Sequence, residues 1–378
     1  MYELSIVRMP LKNAFNHGAF NRTFSDSVIL SIVHNGLIGL GECAPRKYVT
    51  GEDCNAVVEM INQIDVDGII SNIDYSSLDH ALNSFLEIKK KSEWNKYPNV
   101  TCLLELAILD LIGHCFSISM RDIVLRFVPP NLIKNDTTQK INTTQVFDLS
   151  MNITDFIHKR APFLFIKVKV TDNLEKNINI LSELRNLIGW NVPISIDANM
   201  AWSFEMTKRM ILAMKPYRVA YYEEPMKARE WDDYRLLQKE TGAPILMDES
   251  VCTMNDLNMV IKNKSCTAVN IRISKNGGIL NAIEMIKMCV QNNIKFQLGA
   301  QVAELGPLIA ASRHLAYAVS NYFTYEAGQP DRFFEEFIFE PMPVVDRKTN
   351  MVEYHSGIGL GIKKNEVYKK YSEDFSSK

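Results

Sequence analysis

The chain has 378 residues, 47% of them hydrophobic and 23% charged, and a net charge of −2. That length accommodates one barrel of roughly 200–250 residues plus a smaller domain, and the near-neutral charge excludes a general electrostatic pull on nucleic acid or an anionic membrane. Seven cysteines, odd in number and without a CxxC pair, read as free thiols in a reducing compartment. No run is expected to reach the roughly 20 apolar residues of a membrane span, so a cytoplasmic protein is expected.

The first 60 residues read as β structure: ELSIVRM, SVILSIVHNG with an Asn-Gly turn signal, and LIGLGECAP. The opening MYELSIVRMP alternates like a strand and has neither the apolar core nor the cleavage site of a leader peptide. Around Ala56 to Ile64 the apolar period lengthens towards a helix. Val100 to Cys115 form an apolar helix too hydrophobic to face water, the expected core helix of an α+β domain. The polar stretch from Pro129 to Thr144, with its paired prolines, marks the boundary. The expected division is therefore 1–130, 131–328, and a C-terminal segment 329–378 that packs back on the first domain.

Beyond the boundary the chain repeats an apolar β-run, a turn and an amphipathic helix. The expected strands are VFDLSM, FLFIKVKV, VPISIDAN, VAYYEEP, APILMDES, TAVNIRIS, IKFQLGAQ and YFTYEAG, separated by helical segments such as LEKNINILSELRNLI, FEMTKRMILAMK and ILNAIEMIKMCVQNN. Such alternation predicts a parallel sheet, and eight strands predict closure into a barrel. An open dinucleotide-binding sheet is the weaker alternative, because no G-x-G-x-x-G follows a first strand.

Three acids each close a short apolar run, 26 and then 25 residues apart: Asp197 in ISIDAN, Glu223 in AYYEEP and Asp248 in ILMDES. One strand, one helix and two loops fill such an interval, so in a βα-repeat barrel all three reach the C-terminal mouth. Converging carboxylates suit a hard divalent cation, and oxygen-only ligation favours Mg²⁺ over zinc, with Mn²⁺ as a substitute. The alternative is that each acid caps the helix that follows it. Asn199, Glu224 and Glu249 stand beside them as candidate hydrogen-bonding supports.

Lys167 and Lys169, two apart in IKVKV, point to one face of their strand. On the barrel interior, like charge and desolvation would lower a lysine pKa towards that of a useful base. The alternative is an exposed edge strand with solvated lysines.

The combination KxK, D-x-N, EEP, DES and a sixth-strand K/R…GG resembles the enolase superfamily, muconate-lactonizing subgroup. The likeness spans almost the whole chain. GECAPRKYVTGE is similar to a cap-domain substrate loop, LLELAILDLIGH to the cap helix and QLGAQVAELGPL to the seventh-strand segment. The resemblance implies an α/β fold, a modified TIM barrel of (β/α)7β type with an N-terminal α+β capping domain. It also implies a Mg²⁺ site made by Asp197, Glu223 and Asp248, rather than Glu224 or Glu249. There a substrate carboxylate would bind and Lys169 would remove its α-proton to give a metal-stabilised enediolate, while Lys167 neutralises the carboxylate. Homo-oligomers are common among proteins of this kind.

The departure lies at strand six. Subgroup members carry a lysine five residues before the Gly-Gly pair, and NIRISKNGG has Arg272 there; Lys275 reads as a solvated loop lysine. Arginine stays protonated at ordinary pH and is a poor proton acceptor. The expected reaction is therefore one-base cycloisomerisation or β-elimination with Lys169, Lys167 and Arg272 as the catalytic set. The alternatives are an epimerase or racemase of an amino-acid derivative or dipeptide, and a non-catalytic protein on the same fold. Strand eight ends YEAGQP and lacks the D-x-D that dipeptide epimerases use for an α-ammonium group. Glu304 matches an acidic position of the subgroup. The cap segments 15–24 and 46–52 carry His17, Arg22, Arg46 and Tyr48, candidates to contact the distal end of a small carboxylate substrate.

Overall fold

A computed structural model describes residues 1–17 and 20–376, and of residues 15–17, 20 and 21 the backbone alone. The alternating N-terminal segments form an antiparallel sheet of β1 (Tyr2–His17), β2 (Phe20–His34) and β3 (Leu37–Cys43). Asn35 and Gly36 make the β2–β3 reversal with φ of +50° and +77°. Positive φ at both central positions is what a two-residue type I′ hairpin demands, and Asn-Gly meets it at least cost. Near the C-terminus, Ser372–Asp374 pairs antiparallel with β1.

The core helix α1 (Pro98–Phe116) lies across β3. It approaches so closely that a Cβ at Gly39 or Gly41 would strike the backbone carbonyls of Ala107 and Leu103. By length and composition α1 could cross a membrane, which corrects the expectation that no stretch reaches that size. Its apolar window is 83% buried inside the protein, as a core helix requires.

Seven strands pair in parallel and in chain order: β4 (Gln145–Phe147), β5 (Ile166–Lys169), β6 (Ile194–Asp197), β7 (Val219–Glu223), β8 (Ile245–Met247), β9 (Ala268–Ile271) and β10 (Lys295–Leu298). The expected eighth strand is reduced to one parallel bridge, Leu298 to Tyr325. Its backbone nevertheless bonds to both neighbours: Glu326 N–H donates to Leu298 O at 2.9 Å, and Tyr325 O accepts from Thr144 N–H at 2.8 Å. The fold is thus an α/β barrel of the (β/α)7β type with an antiparallel sheet domain before it.

Both faces of this parallel sheet are buried, so strand alternation separates two kinds of interior. Ile166, Val168, Ile194, Ile196, Val269 and Ile271 belong to the main apolar core. Their strand neighbours Lys167, Lys169, Ser195, Asp197 and Asn270 are equally buried and polar. The surrounding helices are α2 (Ile153–Arg160), α3 (Leu174–Ile188), α4 (Phe204–Met214), α5 (Trp231–Thr241), α6 (Met254–Asn263), α7 (Ile279–Gln291) and α8 (Pro307–Ala318).

Helices α7 and α8 begin after glycines, Gly278 and Gly306, which offer no side-chain cap. Carboxylates from the N-terminal part supply it. Glu105 of α1 accepts Leu280 N–H at 3.0 Å, and Glu42 of β3 accepts the N–H groups of Leu305, Gly306 and Leu308 at 2.8, 3.0 and 3.0 Å. Each satisfies donors that a helix start leaves unpaired and meets the positive end of its dipole. Glu42→Ala should therefore cost about 2 kcal/mol or more, since it leaves three buried N–H groups without partners. A urea denaturation midpoint equal to that of the unaltered protein would show that α8 does not depend on this carboxylate.

Candidate active site

Parallel register sets Lys169, Asp197 and Glu223 side by side at the ends of β5, β6 and β7. Asp248 follows directly on β8. Lys167 lies two residues inside Lys169 on the same face, so the lysines and carboxylates meet within the barrel. Lys169 Nζ is 2.8 Å from Asp197 Oδ2 and 2.7 Å from Asn199 Oδ1. Lys167 Nζ is 2.9 Å from Glu223, 2.5 Å from Glu326 Oε1 and 3.9 Å from Asp197. Asp248 is bonded by the guanidinium of Arg272 and, at 3.0 Å, by Lys275 Nζ.

The helix-cap alternative for the three acids does not hold. Ser203 caps α4, Thr253 caps α6 in a capping box with Asp256, and α5 has no side-chain cap. The solvated-edge alternative for the lysines fails as well, because both are buried. Neither do the three acids converge as a ready ligand set: among the described residues no three His, Cys, Asp or Glu side chains are grouped to hold an ion. Each is turned onto a neighbouring cation instead.

The expected lowering of the lysine pKa is reversed at Lys167. Burial pushes its ammonium down, but Glu223, Glu326 and Asp197 outweigh that and hold it well above its ordinary value. These carboxylates favour the charged form of Lys167. Lys275 is no solvated loop residue: it is wholly buried and donates to Asp248 O at 2.7 Å and Asn270 O at 2.8 Å. Its turn between β9 and α7 folds inward, which loop position alone does not reveal. Arg272 also donates to Gln301 Oε1 at 3.0 Å and lies 4.0 Å from Glu223.

A cavity of about 560 Å³ opens over the barrel mouth, bordered by Lys167, Lys169, Asp197, Arg272 and, from the first domain, Tyr48. Glu224 sits behind it and accepts from Asp248 N–H at 2.7 Å, Ser250 N–H at 3.0 Å and Tyr234 OH at 3.1 Å, which fastens the Asp248 backbone. Glu304 is buried and accepts Gln301 N–H at 2.8 Å, but it does not border the cavity; burial and nearby Glu42 push its carboxyl up to about 8. Arg22 pairs with Asp26 at 3.0 Å away from the cavity wall, and Arg46 is buried against the carbonyls of Asp26, Pro45 and Val302. The side chain of His17 lies outside the described residues, as do Gly18 and Ala19. Residues that sequence reasoning passed over are Glu326, Gln301 and Asn270, the last donating to Glu223 Oε1 at 3.0 Å. The one signal for Glu326 was its place at the close of the eighth β-run.

The donor set fits a hard cation. Six carboxyl groups gather here, Asp197, Glu223, Glu224, Asp248, Glu249 and Glu326, against the four basic groups Lys167, Lys169, Arg272 and Lys275, and burial with Glu224 and Asp197 beside it pushes the Glu249 carboxyl up to about 8. Both oxygens of Glu249 are buried without a hydrogen-bond partner, and its neighbours include Asp197 and Glu223. A divalent ion among oxygen donors removes that imbalance.

The family model described as Enolase C-terminal domain-like matches residues 155–367, more than half of the chain. The chain belongs to the enolase superfamily. An L-Ala-D/L-Glu epimerase of Francisella tularensis subsp. novicida is 28% identical to this superfamily member over 320 residues, 84% of this chain and 86% of that one. A dipeptide epimerase from Cytophaga hutchinsonii, solved with Mg and the dipeptide D-Ala-L-Val, superposes with a TM-score of 0.79 at 22% identity, covering 99% of this chain and 98% of that one. Muconate lactonizing enzyme superposes with a TM-score of 0.81 at 16% identity over 99% of each chain. At those identities the two structures share the fold of this superfamily member.

Removing Lys167 leaves Glu223 and Glu326 without their common cation. Lys167→Met should destabilise the metal-free protein by about 3–5 kcal/mol, the usual cost of stranding a buried charge. The checking measurement is chemical denaturation in EDTA, and a change below 1 kcal/mol, on the order of an exposed ion pair, would contradict the compensation described.

Proposed function

We propose that this protein inverts the α-carbon of an amino-acid derivative with a free carboxylate, a dipeptide being the form that the relatives' names support. The observation that carries the reading is the buried pair Lys167 and Lys169, which borders one cavity together with Asp197 and Arg272. An α-proton beside a carboxylate is very weakly acidic, so the negative charge left behind must be met by pre-placed positive charge. Asp197, Glu223 and Asp248 would hold Mg²⁺, or Mn²⁺ in its place, and the bound ion supplies Lewis-acid neutralisation of the carboxylate.

The chain's own groups do the rest. Lys167, kept cationic by its three carboxylates, faces the substrate carboxylate. Lys169 takes the α-proton from one face, and Asn199 and Asp197 set the direction of its Nζ. Glu224 keeps the Asp248–Ser250 backbone in place by accepting the N–H groups of Asp248 and Ser250. Inversion needs a proton delivered from the other face, and a guanidinium, always protonated, would serve there by orienting a solvent water that gives up the proton, while Lys169 returns the one it took to solvent. With D-x-D absent from strand eight, Glu326 and Asp148 are carboxylates at the cavity wall able to meet an α-ammonium group.

Arg272 favours one second reading. A guanidinium where the resembled subgroup has lysine supplies no second base, which suits one-base elimination or cycloisomerisation. Incubation with L-Ala-L-Glu and Mg²⁺ in D₂O separates the two: inversion places deuterium at an α-carbon and yields both epimers, whereas the one-base reaction loses a leaving group or closes a ring without epimer formation. Lys169→Ala should lower the rate about 10²–10⁴-fold in either case. A dipeptide library recovered with neither exchange nor inversion would sink the epimerase reading. Titration calorimetry should show Mg²⁺ binding that weakens at least tenfold in Asp197→Asn, on the order of a lost charged ligand; equal affinity would place the ion elsewhere.

A further inference from the structure

The far wall of the cavity carries two arginines that the chemistry above does not use. Arg160 is the last residue of α2, and Arg332 lies in the turn Pro330–Arg332 that follows the eighth β-run; both border the cavity. One buried side chain ties them together: Asn350 donates Nδ2 to Arg160 O at 2.6 Å and to Pro162 O at 2.8 Å, and its Oδ1 accepts from Arg332 at 3.5 Å. That long contact is the one side-chain hydrogen bond of the Arg332 guanidinium among the described residues, and neither arginine has an ion pair there.

The carboxylates nearby are already committed in whole or, for Asp148, through one oxygen. Arg347 holds Asp331 through both oxygens, at 2.5 and 2.6 Å. Asp148 turns Oδ1 onto Ser150 N–H and hydroxyl at 2.7 and 2.5 Å, and Asp155 pairs with Lys159 at 3.3 Å. Burial, Arg347 and Arg160 press the Arg332 guanidinium down to about 8, and burial with Arg347 lowers Arg160 in the same way. Two adjacent cations that repel each other at the wall of a cavity, each lacking an anion, are at lower energy when an anionic group joins them. Guanidinium groups bind carboxylates with planar, charge-assisted geometry.

We infer that Arg160 and Arg332 form a subsite for a second carboxylate of the substrate, so that the protein acts on a dicarboxylic amino-acid derivative such as an acidic dipeptide. This rests on the reading of the cavity as the place where a substrate carboxylate is bound. The metal-side carboxylate and the subsite then hold the two ends of one ligand, and neutral-ended substrates leave the arginine pair uncompensated.

The test compares L-Ala-L-Glu with its amide L-Ala-L-Gln by titration calorimetry with Mg²⁺ in a Lys169→Ala background, so that binding is read with turnover suppressed. The acid should bind about 10–100-fold more tightly, the range expected of a charged hydrogen-bonded pair. That preference should vanish in Arg160→Gln and in Arg332→Gln, each shown folded by its thermal melt, and should persist in part in Arg332→Lys. Equal binding of acid and amide, binding of neither, or a preference that survives both glutamine variants overturns the subsite. Selective binding of the acid without α-proton exchange by the unaltered protein would instead refute the proposed reaction and leave the subsite standing.

Discussion

Lys167 is accommodated inside the barrel because Asp197, Glu223 and Glu326 lie within ion-pair reach, and the rest of the mouth is arranged around that compensation. A lone buried ammonium or carboxylate costs several kcal/mol, so each member constrains where the others can be. The carboxylates in turn outnumber the cations, which leaves the interior poised to accept positive charge. Glu249, with two buried and unpartnered oxygens, shows where that deficit is felt. The same excess of unpaired charge, opposite in sign, recurs at Arg160 and Arg332 on the far wall.

Holding such a site requires a firm lid and floor. The first domain is joined to the barrel by buried acids: Glu42 and Glu105 cap α8 and α7, each of which begins directly after a glycine. Ser274, next to Arg272 and Lys275, donates its hydroxyl to Asn99 of α1 and accepts Ala44 N–H at 3.0 Å. Through these bonds the turn that carries Arg272 and the chain just before the helical turn Lys47–Thr50, which carries Tyr48, share one framework. The first domain and the mouth of the barrel are in this way mechanically joined.

Much of this was legible beforehand. The helices at 174–188, 204–214 and 279–291 and seven of the eight strands follow from period and turn chemistry, and the Asn-Gly hairpin from its dipeptide alone. The eighth strand was overcalled, since YFTYEAG has the composition of a strand but makes a single bridge. Lys275 was misjudged because a lysine in a polar turn usually meets water, and here the turn folds beneath Asp248. The direction of the Lys167 shift was missed because desolvation is visible from an apolar strand, whereas Glu326 arrives from a segment 159 positions later in the chain.

What the sequence by itself determined is which residues share a face. Alternation with period two puts Lys167 with Lys169, and the spacing of the βα unit sends Asp197, Glu223 and Asp248 to one end of the barrel. Tertiary structure alone decided the pairing: which cation each carboxylate meets, that Lys275 is buried, and that Arg160 and Arg332 come together around Asn350. Periodicity is a property of the local backbone. Charge compensation depends on the distance and dielectric between groups far apart in the chain, which exist only once the barrel has closed.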